Sequence, residues 1–425
     1  MEAPTAKRLA GRAQPATHES SRLYWGTAAC ATVTCALVPA YVVRWKVFVF
    51  PTTLLEIAIL VTLAAFALET AMQHSRVVWR GPYTIPAVIF LVAGAISIAV
   101  AADHRAALGL YRAYLIEPIA FGIVVATVVD SHRRALLLLS ALAAGGLVAG
   151  LANAMVVLAA IRAQTFDVLV TPPVVIYNTA NAVALYLVPL IAVSGSVFLH
   201  SAGRRARIIA GAFTLLAVMA VLLSFSRGGY LALGAVAVCL AVSHRYRWWW
   251  LAAGVGAAIL LLQIPHLASR VTTEFDFNNP RNTLVARFQI WDGALHMLKD
   301  HPIFGAGLSG FAAAVAPYWN ATHAARFTYP HNLLLNFWSE TGLLGAAAFA
   351  WILVAAFRVS WRGWRRAGPG WRPIHLGVFL ALVAIVTHGL VDVPYFKNDL
   401  SFEFWTLVAI SWSGVEGLRS AAPDR

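Results

Sequence analysis

The chain has 425 residues, of which 60% are hydrophobic and 12% charged, and carries a formal net charge of +14 with a mean hydropathy of +0.72. That composition excludes an ordinary soluble domain and implies a polytopic membrane protein. The long apolar runs lack period-two alternation, so a closed β-barrel is excluded and the backbone must be satisfied within helices.

With about 20 apolar residues needed per span, twelve transmembrane helices are predicted in chain order. They lie near 23–43, 47–68, 83–101, 113–129, 135–161, 179–200, 208–225, 229–243, 248–264, 333–357, 374–391 and 402–416. The stretches at 229–243 and 402–416 are short enough to be tilted or partly interfacial. Lys7, Arg8, Arg12 and Arg22 precede the first run, and no small-residue cleavage site follows it, which predicts an uncleaved first helix. Cys30, Cys35 and Cys239 fall inside spans, and an odd, scattered set argues against a disulfide framework. The resulting organisation is an N-terminal membrane bundle at 1–264, an extramembrane loop at 265–332 and C-terminal membrane helices at 333–425.

The positive charge sits in short connections, a distribution that points to the membrane and away from nucleic acid. With both termini placed in the cytoplasm, twenty of the 32 lysines and arginines fall on that side, and seven fall outside once the long loop is set aside. The loop 265–332 is therefore external, and a connection of that length is usually functional. Within it, Leu284, Phe288, Trp291, Leu295 and Leu298 recur at helical spacing, predicting an amphipathic helix on the membrane surface that ends at Pro302 and the glycines of FGAGLSGF.

Three charged or titratable residues converge on the external side. Arg227 interrupts two apolar stretches in LLSFSRGGYLAL with no acidic residue nearby in sequence, and the adjoining glycines would let a ligand group approach the backbone. Arg287 lies beside the apolar face of the amphipathic helix, where the plain alternative is pairing with Asp292 or a lipid phosphate. His331, in YPHNLLLNFWSETGLLG, stands at the mouth of the tenth span with Asn332 as a candidate helix cap; the plain alternative is a polar residue at a helix start. Arginine forks match phosphate oxygens, and imidazole accepts a proton near neutral pH. The trio thus suits a lipid-linked phosphate donor attacked by a hydroxyl.

These segments resemble the O-antigen ligases and the related polysaccharide polymerases and protein O-oligosaccharyltransferases of bacterial envelopes. His331, Asn332, nine further residues, then Gly342 and Gly345 match that family's histidine motif without a gap, and SFSRGGYLAL resembles its serine-arginine-glycine element. RFQIWDGALHMLKDHPIFGAGLSGF is similar to the segment preceding the histidine, and VDVPYF, with Asp392, to a weaker downstream element. The resemblance implies an all-α glycosyltransferase of the membrane-embedded C type in a Gram-negative inner membrane, with its active site on the periplasmic face. It further implies transfer of a polysaccharide from undecaprenyl pyrophosphate to a lipid A core acceptor in lipopolysaccharide biosynthesis, without metal or other cofactor. Polymerases and protein glycosylating enzymes share the motifs, so the acceptor stays open. In that scheme Arg227 and Arg287 hold the pyrophosphate, His331 orients or deprotonates the attacking hydroxyl, and Asp392 and Asn332 support it.

Glu56 and Glu117 fall inside spans, as the carboxylates of a proton-coupled transporter would, and a small-anion transporter could use the external arginines, although Glu117 precedes Pro118 and can cap a kink instead. The glycines of FGAGLSGF can form an anion nest or a simple turn. The fifteen tryptophans, including 248–250, gather near span ends as an aromatic belt does.

Overall fold

The computed structural model describes residues 24–47, 50–73, 77–165, 172–279, 281–319 and 327–420. The basic arm with Lys7, Arg8, Arg12 and Arg22, together with Arg76 and Arg425, lies outside the described residues. The described chain is almost wholly helical, an all-α polytopic membrane protein with one small hairpin.

Helix α1 (Trp25–Ala36) leads through a 3₁₀ turn into the hairpin β1 (Arg44–Val47) and β2 (Phe50–Thr53), followed by α2 (Leu54–Gln73) and α3 (Thr84–Val100). Helices α4 (His104–Tyr111) and α5 (Glu117–Val128) join through a π-helical turn, after which come α6 (His132–Arg162), α7 (Ala180–His200), α8 (Arg204–Leu223), α9 (Arg227–Ser243) and α10 (Arg247–Leu261). The connecting region holds α11 (Pro265–Thr272), α12 (Thr283–Asp300) and the single turn α13 (Phe311–Ala314). The chain then closes with α14 (Leu333–Arg366), α15 (Arg372–Gly389) and α16 (Asn398–Ser420).

Seven helices are long and apolar enough to cross a bilayer, and an eighth results if α10 and Pro265–Phe275, bent by 98°, form one broken span. Helix α1, at 12 residues, and α3 and α9, at 17 each, are shorter than a straight crossing needs, so twelve is not established as the number of crossings.

The expected span at 47–68 is displaced. Arg44–Val47 pairs with Phe50–Thr53 as the hairpin, and α2 begins only at Leu54. Thr53 and Glu56 explain this start: the Thr53 hydroxyl accepts from Glu56 N at 3.1 Å while the Glu56 carboxylate accepts from Thr53 N at 3.0 Å, a reciprocal capping box. The span expected at 113–129 likewise extends back to His104, and that expected at 333–357 runs on to Arg366.

Helix α7 is apolar on every side and packs against α15, α8, α9 and α6, with residues 182–193 buried throughout, as befits a central helix. A second core forms where α3, α14 and α16 meet; there Phe337 stacks on Phe349 at 3.8 Å beside Phe90 and Tyr395. Outward faces of α6, α8 and α10 expose Val148, Met155, Ile208, Leu215, Ile259 and Leu260, apolar surface that suits a lipid environment. Trp248, Trp249 and Trp250 are exposed at the start of α10.

The carboxylates suggestive of a transporter are compensated. Arg112, in the π-helical turn, reaches Glu56 at 2.7 Å and Glu117 at 3.3 Å, so the two buried acids share one cation. The segment FGAGLSGF runs as turns, and the anion its backbone meets is internal: the N–H groups of Ser309 and Phe311 donate to the Glu340 carboxylate, Ser309 at 2.5 Å.

Candidate active site

The site is assembled where α9, α12 and α14 begin and α15 ends. In SFSRGG, Phe225 adopts a positive φ of 53°, and the Ser226 hydroxyl then caps α9 by accepting from Gly229 N at 3.1 Å. The two glycines do not leave room for a ligand, contrary to expectation. A Cβ at Gly228 would lie 2.7 Å from His388 Nε2 and one at Gly229 only 2.5 Å from Ala184, so both serve close packing of α9 on α15 and α7.

Arg227 has in the fold the acidic partner that its sequence neighbourhood lacks. Glu274, 47 residues further along the chain, reaches its Nη1 at 2.6 Å. Arg227 Nε donates to Arg270 O at 3.0 Å and Nη1 to the Thr283 hydroxyl at 3.0 Å, while Nη2 is buried and without a hydrogen-bond partner among the described residues.

Helix α12 carries Arg287 into the same place. Asn282 caps this helix by accepting from Leu284 N and Val285 N, and Glu274 adds a carboxylate at the helix start by accepting from Thr283 N and Leu284 N. Arg287 Nη1 donates to the Thr283 hydroxyl at 2.7 Å, and its Nε to Val391 O at 2.7 Å. It does not pair with Asp292, which lies 3.5 Å from His296. The apolar stripe of α12 is split as well. Ile290, Ala294, Met297 and Leu298 face the protein, whereas Phe288 and Leu295 of the expected stripe remain about half exposed, so the helix has one face for the protein and another turned away from it.

His331 sits in the short segment entering α14, with φ +47°, a left-handed backbone uncommon outside glycine and asparagine. Its Nδ1 lies 3.3 Å from Asp392 Oδ1, at ion-pair distance but without the alignment of a hydrogen bond. Tyr329 packs on the imidazole with ring centroids 4.2 Å apart, and Phe327 meets it edge-on at 5.2 Å. Trp291 Nε1 donates to Pro330 O at 2.9 Å, so α12 fixes the histidine segment directly. Asn332 caps α14 by accepting from Leu335 N at 3.1 Å and donates to Leu390 O at 3.1 Å.

Asp392 lies in the connection after α15 and is fully buried. Asn181 Nδ2 donates to its Oδ2 at 2.7 Å and Val393 N to its Oδ1 at 2.9 Å. Burial alone would push this carboxyl up, but the adjacent His331, with His388 and Lys397, outweighs it and holds the carboxyl well below the usual carboxylate range. For Tyr329, burial and then the Asp392 charge push the phenol above its ordinary range, so it stays neutral beside the imidazole.

The five expected residues thus join one continuous network: Arg227 and Arg287 through Thr283, Arg287 to the backbone preceding Asp392, Asp392 to His331, and Asn332 at the next residue. Sequence reasoning missed Asn181, Arg270, Glu274, Thr283, Tyr329 and His388. Tyr329 opens the stretch YPHNLLLNFWSETGLLG two residues before His331, the others belong to no motif with the expected spacing, and Glu274 lies in TTEFDFNNPRN, which reads only as irregular and polar. Chemically, the arrangement gathers guanidinium groups around a helix start for an anion, beside an imidazole backed by a buried carboxylate.

Residues 211–350 match a family model described as O-antigen ligase, a segment that contains Arg227, Arg287, His331 and Asn332 but ends before Asp392. A curated protein of Haemophilus influenzae described only as an uncharacterized protein is 32% identical over 90 residues; that alignment covers 20% of this chain and 23% of the relative's length.

Proposed function

We propose, from the match of residues 211–350 to a family model described as O-antigen ligase, that the chain is a membrane glycosyltransferase that moves a polysaccharide from undecaprenyl pyrophosphate to a lipid A core acceptor at the periplasmic face of a Gram-negative inner membrane. The observation that carries this reading is the network from Arg227 through Thr283 and Arg287 to Asp392 and His331. It sets a cationic anion seat beside a proton acceptor, the two elements that displacement of a phosphate leaving group requires.

In the proposed reaction an acceptor sugar hydroxyl attacks the anomeric carbon joined to the pyrophosphate. The new glycosidic bond forms as the old carbon–oxygen bond breaks, the electron pair leaves with the pyrophosphate, and the hydroxyl proton passes to His331. The buried Asp392 carboxylate stabilises the resulting imidazolium, and Arg227 and Arg287 neutralise the leaving group. Arginine takes the place of a divalent ion, so a chelator is expected to leave the rate intact. The loop 265–332, read as an external unit between the two membrane parts, brings Arg287 over the site. The pairing of Glu56 and Glu117 with Arg112 favours this enzyme over a carrier.

Two measurements test the reading. Purified protein in detergent, mixed with lipid-linked glycan and lipid A core, should form the joined product without ATP or an ion gradient; strict dependence on a gradient would return the chain to the carrier class. Deletion of the gene, followed by gel analysis of lipopolysaccharide, should remove all long chains on the core. A single repeat left on the core would instead indicate a polymerase.

A further inference from the structure

Thr283 and Glu274 occupy an unusual place between the two arginines. The Thr283 hydroxyl accepts from Arg227 Nη1 at 3.0 Å and from Arg287 Nη1 at 2.7 Å, and it donates to Glu274 Oε1 at 2.9 Å. One hydroxyl has one proton to give and two lone pairs to receive with, so its capacity is filled. Glu274 is engaged on every side as well, by Arg227 Nη1 at 2.6 Å, Thr283 N at 3.2 Å, the Thr283 hydroxyl and Leu284 N at 2.9 Å. Its side chain is only 11% exposed, so removing it from this position would break several charge-assisted bonds without full rehydration.

We propose that Glu274 and Thr283 are positioning residues that clamp the two guanidinium groups by Nε and Nη1, so that each offers its remaining Nη2 to the phosphate oxygens of the ligand. This rests on the pyrophosphate-binding reading above. Three features carry it. Arg227 has Nε on Arg270 O and Nη1 on Glu274 and Thr283, with Nη2 buried and unpartnered among the described residues. Arg287 is held in the same way, Nε on Val391 O and Nη1 on Thr283. The shared hydroxyl sets the spacing of the two cations before any ligand arrives, and like charges that close require such a fixture. Glu274 lowers their mutual repulsion and stays in place when the ligand binds.

The test uses full-length protein in detergent, inorganic pyrophosphate as the binding probe, and donor kinetics alongside. Thr283→Val keeps the shape and removes the hydroxyl; Thr283→Ser restores it. Thr283→Val should weaken pyrophosphate binding by about tenfold, the scale of one lost charge-assisted hydrogen bond, and raise the donor KM more than it lowers kcat. Thr283→Ser should stay within about threefold of wild type, as expected for a retained bond. Glu274→Gln should also weaken pyrophosphate binding several-fold. A Glu274→Gln protein that binds pyrophosphate more tightly would identify the carboxylate as a competing anion and overturn the proposal, as would a Thr283→Ser protein as impaired as Thr283→Val, or wild-type protein that does not bind pyrophosphate. Because pyrophosphate binding is read without any glycan, a failure of the transfer assay alone leaves this result distinct from the proposed function.

Discussion

At the residue scale, the arginines show why charge is not enough. Arg227 uses two directions of its guanidinium, to Arg270 O and to the Glu274–Thr283 pair, and keeps a third, the buried Nη2, without a hydrogen-bond partner among the described residues. Lysine has one nitrogen and cannot keep all three. Arg227→Lys and Arg287→Lys should each reduce transfer by one to two orders of magnitude, the scale of one or two lost hydrogen bonds to charge, while the protein still reaches the membrane; near-normal turnover in either variant would mean that a diffuse positive charge suffices. His331→Ala should cut the rate by about a hundredfold to ten-thousandfold and spare donor affinity, measured by binding of the donor lipid. Asp392 offers a pH test. Its carboxyl is held below the usual range in the folded protein, so its stabilising contribution is complete above the ordinary carboxylate pKa of about 4 and is lost as pH falls from there toward the folded value. Thermal unfolding followed from pH 7 to pH 3 should show wild type losing more stability below about pH 4 than Asp392→Asn, and parallel curves for the two proteins would contradict the assignment.

At the scale of elements, the histidine motif proves to be two devices joined. Asn332 and His331 start α14, and Gly342 breaks it ten residues later. Gly342 has φ +67° and ψ −178°, a conformation essentially confined to glycine, and a Cβ there would lie 2.5 Å from Ile303 O. The break lets Leu343 N donate to Ile303 O at 2.9 Å, which docks the turns that follow α12 onto α14. Gly345 follows because a Cβ would meet the Thr341 side chain at 2.1 Å. Both motif glycines are thus explained by packing, without a ligand. Gly342→Ala should cost at least about 2 kcal/mol, read as a lower melting temperature in detergent, whereas Gly368→Ala, which meets open space, should melt as wild type does. Equal melting of the two variants would remove the argument.

For the whole molecule, helix direction carries the argument. Helices α7, α9 and α14 begin, and α8 and α15 end, beside the site, so the connections 201–203, 244–246 and 367–371 lie at the opposite ends of the same helices. In the proposed topology the charge asymmetry puts those opposite ends in the cytoplasm. On that topology, in a background with the three native cysteines replaced, Asn278→Cys, exposed between α11 and α12, should react with an impermeant thiol reagent applied from the periplasmic side, whereas Ala202→Cys and Gly368→Cys should not. Labelling of Gly368→Cys from outside would invert the topology and place His331 in the cytoplasm.

By itself the sequence determined the membrane class, the helical runs and the residues that combine charge with unusual surroundings, because those signals are local: an apolar run needs no partner to be read, and Arg227 or His331 stands out against it. The span predicted from residue 47 left the Thr53–Glu56 pair unread, and it is their capping box that sets the start of α2. The tertiary structure alone decided who partners whom. Glu274 stands 47 residues from Arg227, Asn181 stands 211 from Asp392, and Arg112 unites two acids from separate helices. It also decided that Gly228 faces His388 and not a ligand. Such pairings depend on which helix ends pack together, and no periodicity along one chain records the distance between residues that only folding brings within 3 Å.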